Sequence, residues 1–264
     1  MNKIEIFEDT MKQCKTNPAL ISAVKNSIKG TVLYKQGETP VIQEKNGECK
    51  ITVTQERTFE AVKNLKNDYQ GAKIGVLNFA SARNVGGGVV RGAEAQEECL
   101  CRCSTLYPCL DTEYLFENYY QMHRNLKELT YTDACIYTPD ITVIKTDTKY
   151  PENMPENEWY NVDVLTCPAP NVSTIRISDM ELLKIHRRRG RHIISIAVEN
   201  NIDVLVLGAF GCGAFRNNPE LVAKAYKEII PQFTGYFKEI RFAVYCSPRN
   251  TRNYEVFRRI ISGE

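Results

Sequence analysis

The chain has 264 residues, 43% hydrophobic and 25% charged, proportions of a globular protein that exclude a disordered or fibrous chain. Its 34 basic and 32 acidic side chains leave a formal charge of only +2, which argues against wrapping a polyanion by bulk electrostatics and leaves room for a local phosphate-binding patch. No apolar run approaches the roughly 20 residues of a membrane span. The N-terminus has neither the apolar core nor the cleavage site of a signal peptide, so a soluble, cytoplasmic protein is expected.

The first thirty residues predict helices, with apolar side chains recurring every three or four positions from Leu20 to Ile28 and Gly30 ending the run. Short strands are expected at 31–34, 41–43 and 51–54, with turns at Gly37 and Asn46-Gly47. Thr58 stands before the periodic stretch 59–65 as a candidate N-cap. Residues 73–80 read as a buried strand entering a glycine-rich loop. Lys145 to Glu158, polar and holding two prolines, reads as an exposed loop. Beyond it a strand at 162–166 is broken by Pro168 and Pro170. A helix at 179–200, a buried strand at 203–208, a helix at 221–230 and a strand at 241–245 follow, before a C-terminal helix. Strands alternating with long helices predict an α/β fold with a mostly parallel or mixed sheet. No internal repeat is visible.

Ten cysteines in a chain of this length without a leader do not suggest a disulfide scaffold. Cys99, Cys101 and Cys103 alternate, so on a helix they point to different faces, and none of the three histidines (His123, His186, His192) is spaced with them as a ligand set. Reduced, mostly structural thiols and no metal are expected.

Two glycine-rich segments each follow a buried strand: Asn78 to Gly88, ending in Gly86-Gly87-Gly88, and Gly208 to Phe215. One such loop alone reads as a tight turn. Two at strand ends favour a ligand with a diphosphate, because glycine lets backbone N–H groups approach phosphate closely. Neither has dinucleotide-fingerprint or P-loop spacing. Gln96-Glu97-Glu98 follows the first loop among small and apolar residues. Adjacent carboxylates usually mark a solvated surface. Packed against the loops, their mutual repulsion and desolvation would raise one pKa and favour a protonated acid. Consecutive side chains diverge, so the two do not flank a sugar as a common glycosidase pair does.

Other signals are set aside. The basic run His186 to His192 reads as a solvated helix face or surface loop rather than a phosphate patch. Cys212 lacks an identifiable base and is not read as a nucleophile. The tyrosine-rich stretch 114–120 reads as core and rim packing, while Tyr245 or Phe257 could stack on a base.

Gly86-Gly87-Gly88 followed after seven residues by Gln96-Glu97-Glu98 resembles the signature of poly(ADP-ribose) glycohydrolases, and most closely their bacterial-type branch. VLNFASARN before the glycines, TCPAPN at 166–171 and LGAFGCGAFRNNP at 207–219 agree, so the resemblance spans roughly residues 50–250. Phe210 stands where tryptophan is expected in many relatives. The resemblance implies a three-layer α/β/α macrodomain core at 51–264 with a mixed central sheet, and a mainly helical extension at 1–50 packed on it. It implies Glu98 as the general acid, Glu97 holding the hydroxyls of the reacting ribose, and Gly86, Gly87 and Gly88 lining that ribose and the adjoining phosphate. Gly211, Cys212, Gly213 and Ala214 would cradle the diphosphate, and Phe215 would pack over the distal ribose. Ser81, Asn84 and Gln96 complete the implied substrate-binding set.

The activity implied is hydrolysis of ribose–ribose bonds in poly(ADP-ribose) from chain ends, without cofactor or metal. ADP-ribose or its polymer is the implied ligand, ADP-ribosylated proteins are further partners, and neither membrane contact nor sequence-specific nucleic-acid binding is expected. Two alternatives share the loops: a hydrolase removing single ADP-ribose units from protein or nucleic acid, and an ADP-ribose-binding module without turnover.

Overall fold

The computed structural model describes residues 2–43, 45 and 47–263. Helices α1 (Lys3–Thr16) and α2 (Pro18–Gly30) meet at Asn17, whose side chain caps α2 by accepting from the Ala19 N–H at 2.9 Å. Strands β1 (Val32–Tyr34) and β2 (Lys50–Thr54) lie near two of the expected positions. Residues 41–43 form no strand, and Val41 is almost fully exposed. Asn46, half of an expected turn, lies outside the described residues.

Helix α3 (Thr58–Asp68) leads into β3 (Ile74–Phe79) and, after the first glycine loop, α4 (Gln96–Cys103). Thr58 is not the N-cap of α3; Arg57 holds that position, and its N–H donates to Glu60 Oε2 at 3.1 Å. Three short helices, α5 (Leu106–Leu110), α6 (Glu113–Leu115) and α7 (Met122–Asn125), precede β4 (Cys135–Val143) and β5 (Tyr160–Cys167). Then come α8 (Asp179–Glu199), β6 (Val204–Leu207), α9 (Pro219–Ile229), β7 (Glu239–Ala243) and α10 (Arg252–Phe257).

One seven-stranded sheet runs β1-β4-β5-β3-β6-β7-β2. β5, β3, β6, β7 and β2 are parallel, while β4 pairs antiparallel with β5 and β1 antiparallel with β4. The central strands are apolar on both faces, as helix-covered parallel strands must be. Val76, Val164, Val204 and Val206 point into one core with α3 and α4, whereas Leu77, Leu165, Leu205 and Leu207 point into the other with α8 and α9. The result is a mixed-sheet, three-layer α/β/α fold of macrodomain type. Among the described residues no helix is long and apolar enough to cross a membrane.

Two expectations are corrected. The stretch from Lys145 is not simply exposed: Lys145 is buried and pairs with Asp9 of α1, and Met154 joins the core, so this loop is stitched to the N-terminal helix. The run 186–192 lies on α8, but His186, Arg189, Gly190 and His192 are buried. Arg189 is fully buried and donates to Asp133 Oδ1 at 2.9 Å, Pro168 O at 2.6 Å and Thr130 O at 2.9 Å. A buried guanidinium is tolerable only with such partners. This arginine is therefore a core strut. In the tyrosine-rich stretch Tyr119 and Tyr120 are core residues, while Tyr114 is exposed.

Candidate active site

At the C-terminal ends of the parallel strands a cavity of about 630 Å³ opens, the position where open α/β sheets bind ligands. Its walls come from the segments after β2, β3, β5, β6 and β7, together with the start of α4.

Gln96, Glu97 and Glu98 form the first turn of α4, where free N–H groups and the helix dipole favour negative charge. The Gln96 side chain locks this turn onto β3. Its Oε1 accepts from the Phe79 N–H at 2.9 Å, and its Nε2 donates to Leu77 O at 2.8 Å and Thr58 Oγ1 at 3.1 Å. Gln96 lines the cavity with its amide already committed to the protein.

Glu97 is buried; its Oε2 accepts from the Ser81 N–H at 2.7 Å and its Oε1 from Asn78 Nδ2 at 3.4 Å. Glu98, also buried, accepts from the Gly88 N–H at 2.8 Å through Oε1, while its buried Oε2 has no partner among the described residues. The two carboxylates leave the helix in different directions yet converge on Gly87. A Cβ there would collide with the Glu98 carboxylate and lie 3.0 Å from Glu97 Oε2. Burial, reinforced by the charge of Glu98, pushes the Glu97 carboxyl up to about 8, against the pull of the Ser81 and Asn78 hydrogen bonds. Burial thus favours the protonated form of Glu97, whereas the resemblance assigns the general acid to Glu98.

The sign of this shift gives a stability prediction. An unfolded Glu97 ionises near 4.5 and the folded one near 8, so its favourable contribution is complete below 4.5 and disappears as pH rises to about 8. Glu97→Gln, whose carbonyl can still accept from Ser81, is expected to raise Tm at pH 8.5 by on the order of 5 °C, with little change at pH 4.5. Equal effects at both pH values in a thermal melt would refute the assignment.

The first glycine loop holds the acids more than it offers donors. The Gly87 N–H is spent on Asn84 O at 3.0 Å and the Gly88 N–H on Glu98. Gly86 is not at the cavity surface; a Cβ there would strike the Tyr107 ring. Ser81 and Asn84 line the cavity, and the Ser81 hydroxyl accepts from the Asn84 N–H at 3.1 Å, shaping the turn.

The second loop is the opposite case. Gly211, Gly213, Ala214 and Phe215 line the cavity. Among the described residues no hydrogen bond uses the N–H groups of Gly213, Ala214 or Phe215, a cluster of free donors suited to an anion. Cys212 packs against the second core and does not line the cavity; burial pushes its thiol far up, a state that disfavours the nucleophilic thiolate. Phe210 is also buried, 5.6 Å from the Phe79 ring centre, beneath the loop rather than in the cavity.

Sequence reasoning missed what fixes this loop. Asn217 Nδ2 donates to Pro170 O at 2.8 Å and Gly211 O at 2.9 Å, joining the segments after β5 and β6. Its Oδ1 bonds His186 Nε2 of α8 at 2.9 Å, with burial holding that imidazole neutral down to about 4. Gly211 is glycine because a Cβ would come within 2.6 Å of both Ala169 Cβ and Asn217 Nδ2. Nothing in the sequence pattern separates His186 and Arg189 from their exposed neighbours on α8. At the far wall Tyr245 is half exposed, with the Arg57 guanidinium 4.0 Å from its ring centre. Phe257 is fully buried in the core and cannot stack on a ligand.

Comparison with known proteins agrees with this geometry. The family described as microbial-type PARG, catalytic domain, matches residues 2–146. No curated protein matches. Among solved structures, the chain is similar to poly(ADP-ribose) glycohydrolase (PARG) from Thermomonospora curvata, with 30% identity over 97% of this chain and 98% of that one and a TM-score of 0.86. A structure of the Thermomonospora curvata glycohydrolase bound to the inhibitor ADP-HPD matches with 30% identity over the same shares and a TM-score of 0.84. The Deinococcus radiodurans glycohydrolase in complex with ADP-ribose matches at 31% identity over 91% of this chain and 97% of that one, TM-score 0.77. The chain belongs to the microbial-type PARG family.

Proposed function

We propose that this protein hydrolyses the ribose–ribose bonds of poly(ADP-ribose) and releases ADP-ribose from chain ends. The observation that carries the reading is the convergence of two buried carboxylates on Gly87 in a cavity whose other wall presents free backbone N–H groups. A cavity of about 630 Å³ suits one dinucleotide-sized ligand, in keeping with binding of a terminal unit. In this reading the diphosphate lies on the Gly213–Phe215 N–H groups, and Phe215 covers the distal ribose. Tyr245, braced on one face by Arg57, is the adenine-stacking side chain.

Chemistry starts when the reacting ribose's hydroxyls donate to Glu97. Such bonds favour its ionised form, so binding moves the proton held on Glu97 to Glu98, whose Oε2 has no partner among the described residues. Glu98 donates that proton to the leaving ribose oxygen as the glycosidic bond breaks, and the adjacent diphosphate and Glu97 carboxylate stabilise the oxocarbenium-like state. Water adds to the anomeric carbon, and one proton returns to Glu98 to close the cycle. The extension at 1–50 belongs to this catalytic unit: α1 packs on α4, with Thr10 Oγ1 donating to Arg102 O at 2.6 Å, and β1 completes the sheet edge. ADP-ribosylated proteins, as carriers of the polymer, are the partners this reading supplies.

Incubation of the purified protein with poly(ADP-ribose) is expected to yield monomeric ADP-ribose as the first product. Oligomers as first product would overturn chain-end action. Binding of ADP-ribose without release from polymer would leave a single-unit hydrolase or a binding module.

A further inference from the structure

On the reading above, the leaving oxygen sits on an adenosine ribose, so the group departing past Glu98 carries an adenine and a diphosphate. One wall of the cavity mouth complements both. A Cβ built on Gly88 would lie 3.6 Å from Glu98 Oε1 and 3.8 Å from Arg91 Nη2, so this guanidinium and the acid both approach Gly88, and both line the cavity. The wall continues through Gly92, against which Lys3 of α1 packs. Lys3 Nζ pairs with Glu94 at 3.1 Å and also donates to Lys149 O. Next along stands Tyr150, 62% exposed, with Lys3 Nζ and Lys149 Nζ each 5.4 Å from its ring centre. Glu94 is matched by Lys3. Among the described residues, Arg91 and Lys149 have no carboxylate within 4.0 Å.

A chain of net charge +2 that sets unpaired cations on the wall of its acid-bearing cavity, with an exposed aromatic ring next to one of them, is equipped for a phosphate and a base together. We propose that the wall formed by Arg91, Lys149 and Tyr150 is a leaving-group platform that holds the penultimate ADP-ribose unit, with its diphosphate at Arg91 and Lys149 and its adenine on Tyr150. The platform gives polymer an advantage over a single ADP-ribose attached to protein, because only polymer presents a second diphosphate and base at that distance.

The test uses the full chain with Arg91→Ala and the double variant Lys149→Ala/Tyr150→Ala. At low salt each is expected to lose about tenfold in kcat/KM on long poly(ADP-ribose), with a shallower salt dependence than wild type. Calorimetric affinity for free ADP-ribose is expected to stay unchanged. Wild-type kcat/KM on polymer in both variants would overturn the platform, as would a parallel loss of ADP-ribose affinity, which would place these residues in the monomer pocket. Polymer retention on filters, measured in a Glu98→Gln background with and without the platform changes, reads the same contact without turnover. It therefore separates failure of the platform from failure of the glycohydrolase reading.

Discussion

Substituting Glu98 by Gln is expected to lower turnover of poly(ADP-ribose) by about 10²–10⁴-fold while leaving the calorimetric affinity for ADP-ribose within a few-fold of wild type. Glutamine fills the same volume, and its carbonyl oxygen can still accept the Gly88 N–H that now bonds Glu98 Oε1 at 2.8 Å. What it cannot do is donate a proton of carboxylic-acid strength from the position of Oε2. A loss of kcat without loss of binding is the signature of an interaction made only in the transition state. An equal loss in affinity would instead make Glu98 a binding residue, and unchanged turnover would move the acid elsewhere, with Glu97 the next candidate because burial already holds its proton up to about 8.

Gly87→Ala is expected to reduce kcat/KM by about 10²-fold or more although it adds a single methyl group. The residue has φ +60°, where a side chain costs about 1–2 kcal/mol. Its new Cβ would meet the Glu98 carboxylate and lie 3.0 Å from Glu97 Oε2. Both acids must move, and displacement of a catalytic group by about 1 Å costs on the order of 10²-fold. Gly71→Ala is the matched control. Gly71 has φ +75°, but a Cβ there meets nothing within 4 Å, and it precedes β3 at the end remote from the cavity. Thermal melts and release assays on the two variants are expected to show comparable losses of stability and a loss of activity in Gly87→Ala alone.

The elements that reveal themselves in the sequence are those whose periodicity is set by a single environment. β3, β5 and β6 are apolar on both faces because helices cover both; α9 is legible too, although it begins at Pro219, ahead of the expected 221, with Asn218 Oδ1 accepting the Glu220 N–H at 3.0 Å. β4 is hidden because Pro139 and Asp140 interrupt it at a register shift, with Asp140 at φ +52°. At 145–158 polarity suggests exposure, yet Lys145 is buried through a partner, Asp9, more than a hundred positions away. Long-range pairing leaves no local trace.

The same limit applies within the site. Spacing and order bring Glu97, Glu98, the first loop and the second loop to attention, and all four meet at one cavity. Spacing says nothing of which N–H groups remain free, so the contrast between a first loop that grips carboxylates and a second that keeps its donors open appears only in three dimensions. Nor does it show that Gly86 and Cys212 face away from the cavity.

The struts from α8 carry a thermodynamic consequence. His186 reaches the second loop through Asn217, and Arg189 grips Pro168 O after β5. The second loop and the segment after β5 are thus both fastened to one 21-residue helix before any ligand arrives. The conformational entropy of arranging those donors is settled during folding, so it is not charged against ADP-ribose at the moment of encounter. Association should then proceed with a small heat-capacity change and near-rigid backbone, leaving the ligand's own flexibility as the main ordering cost.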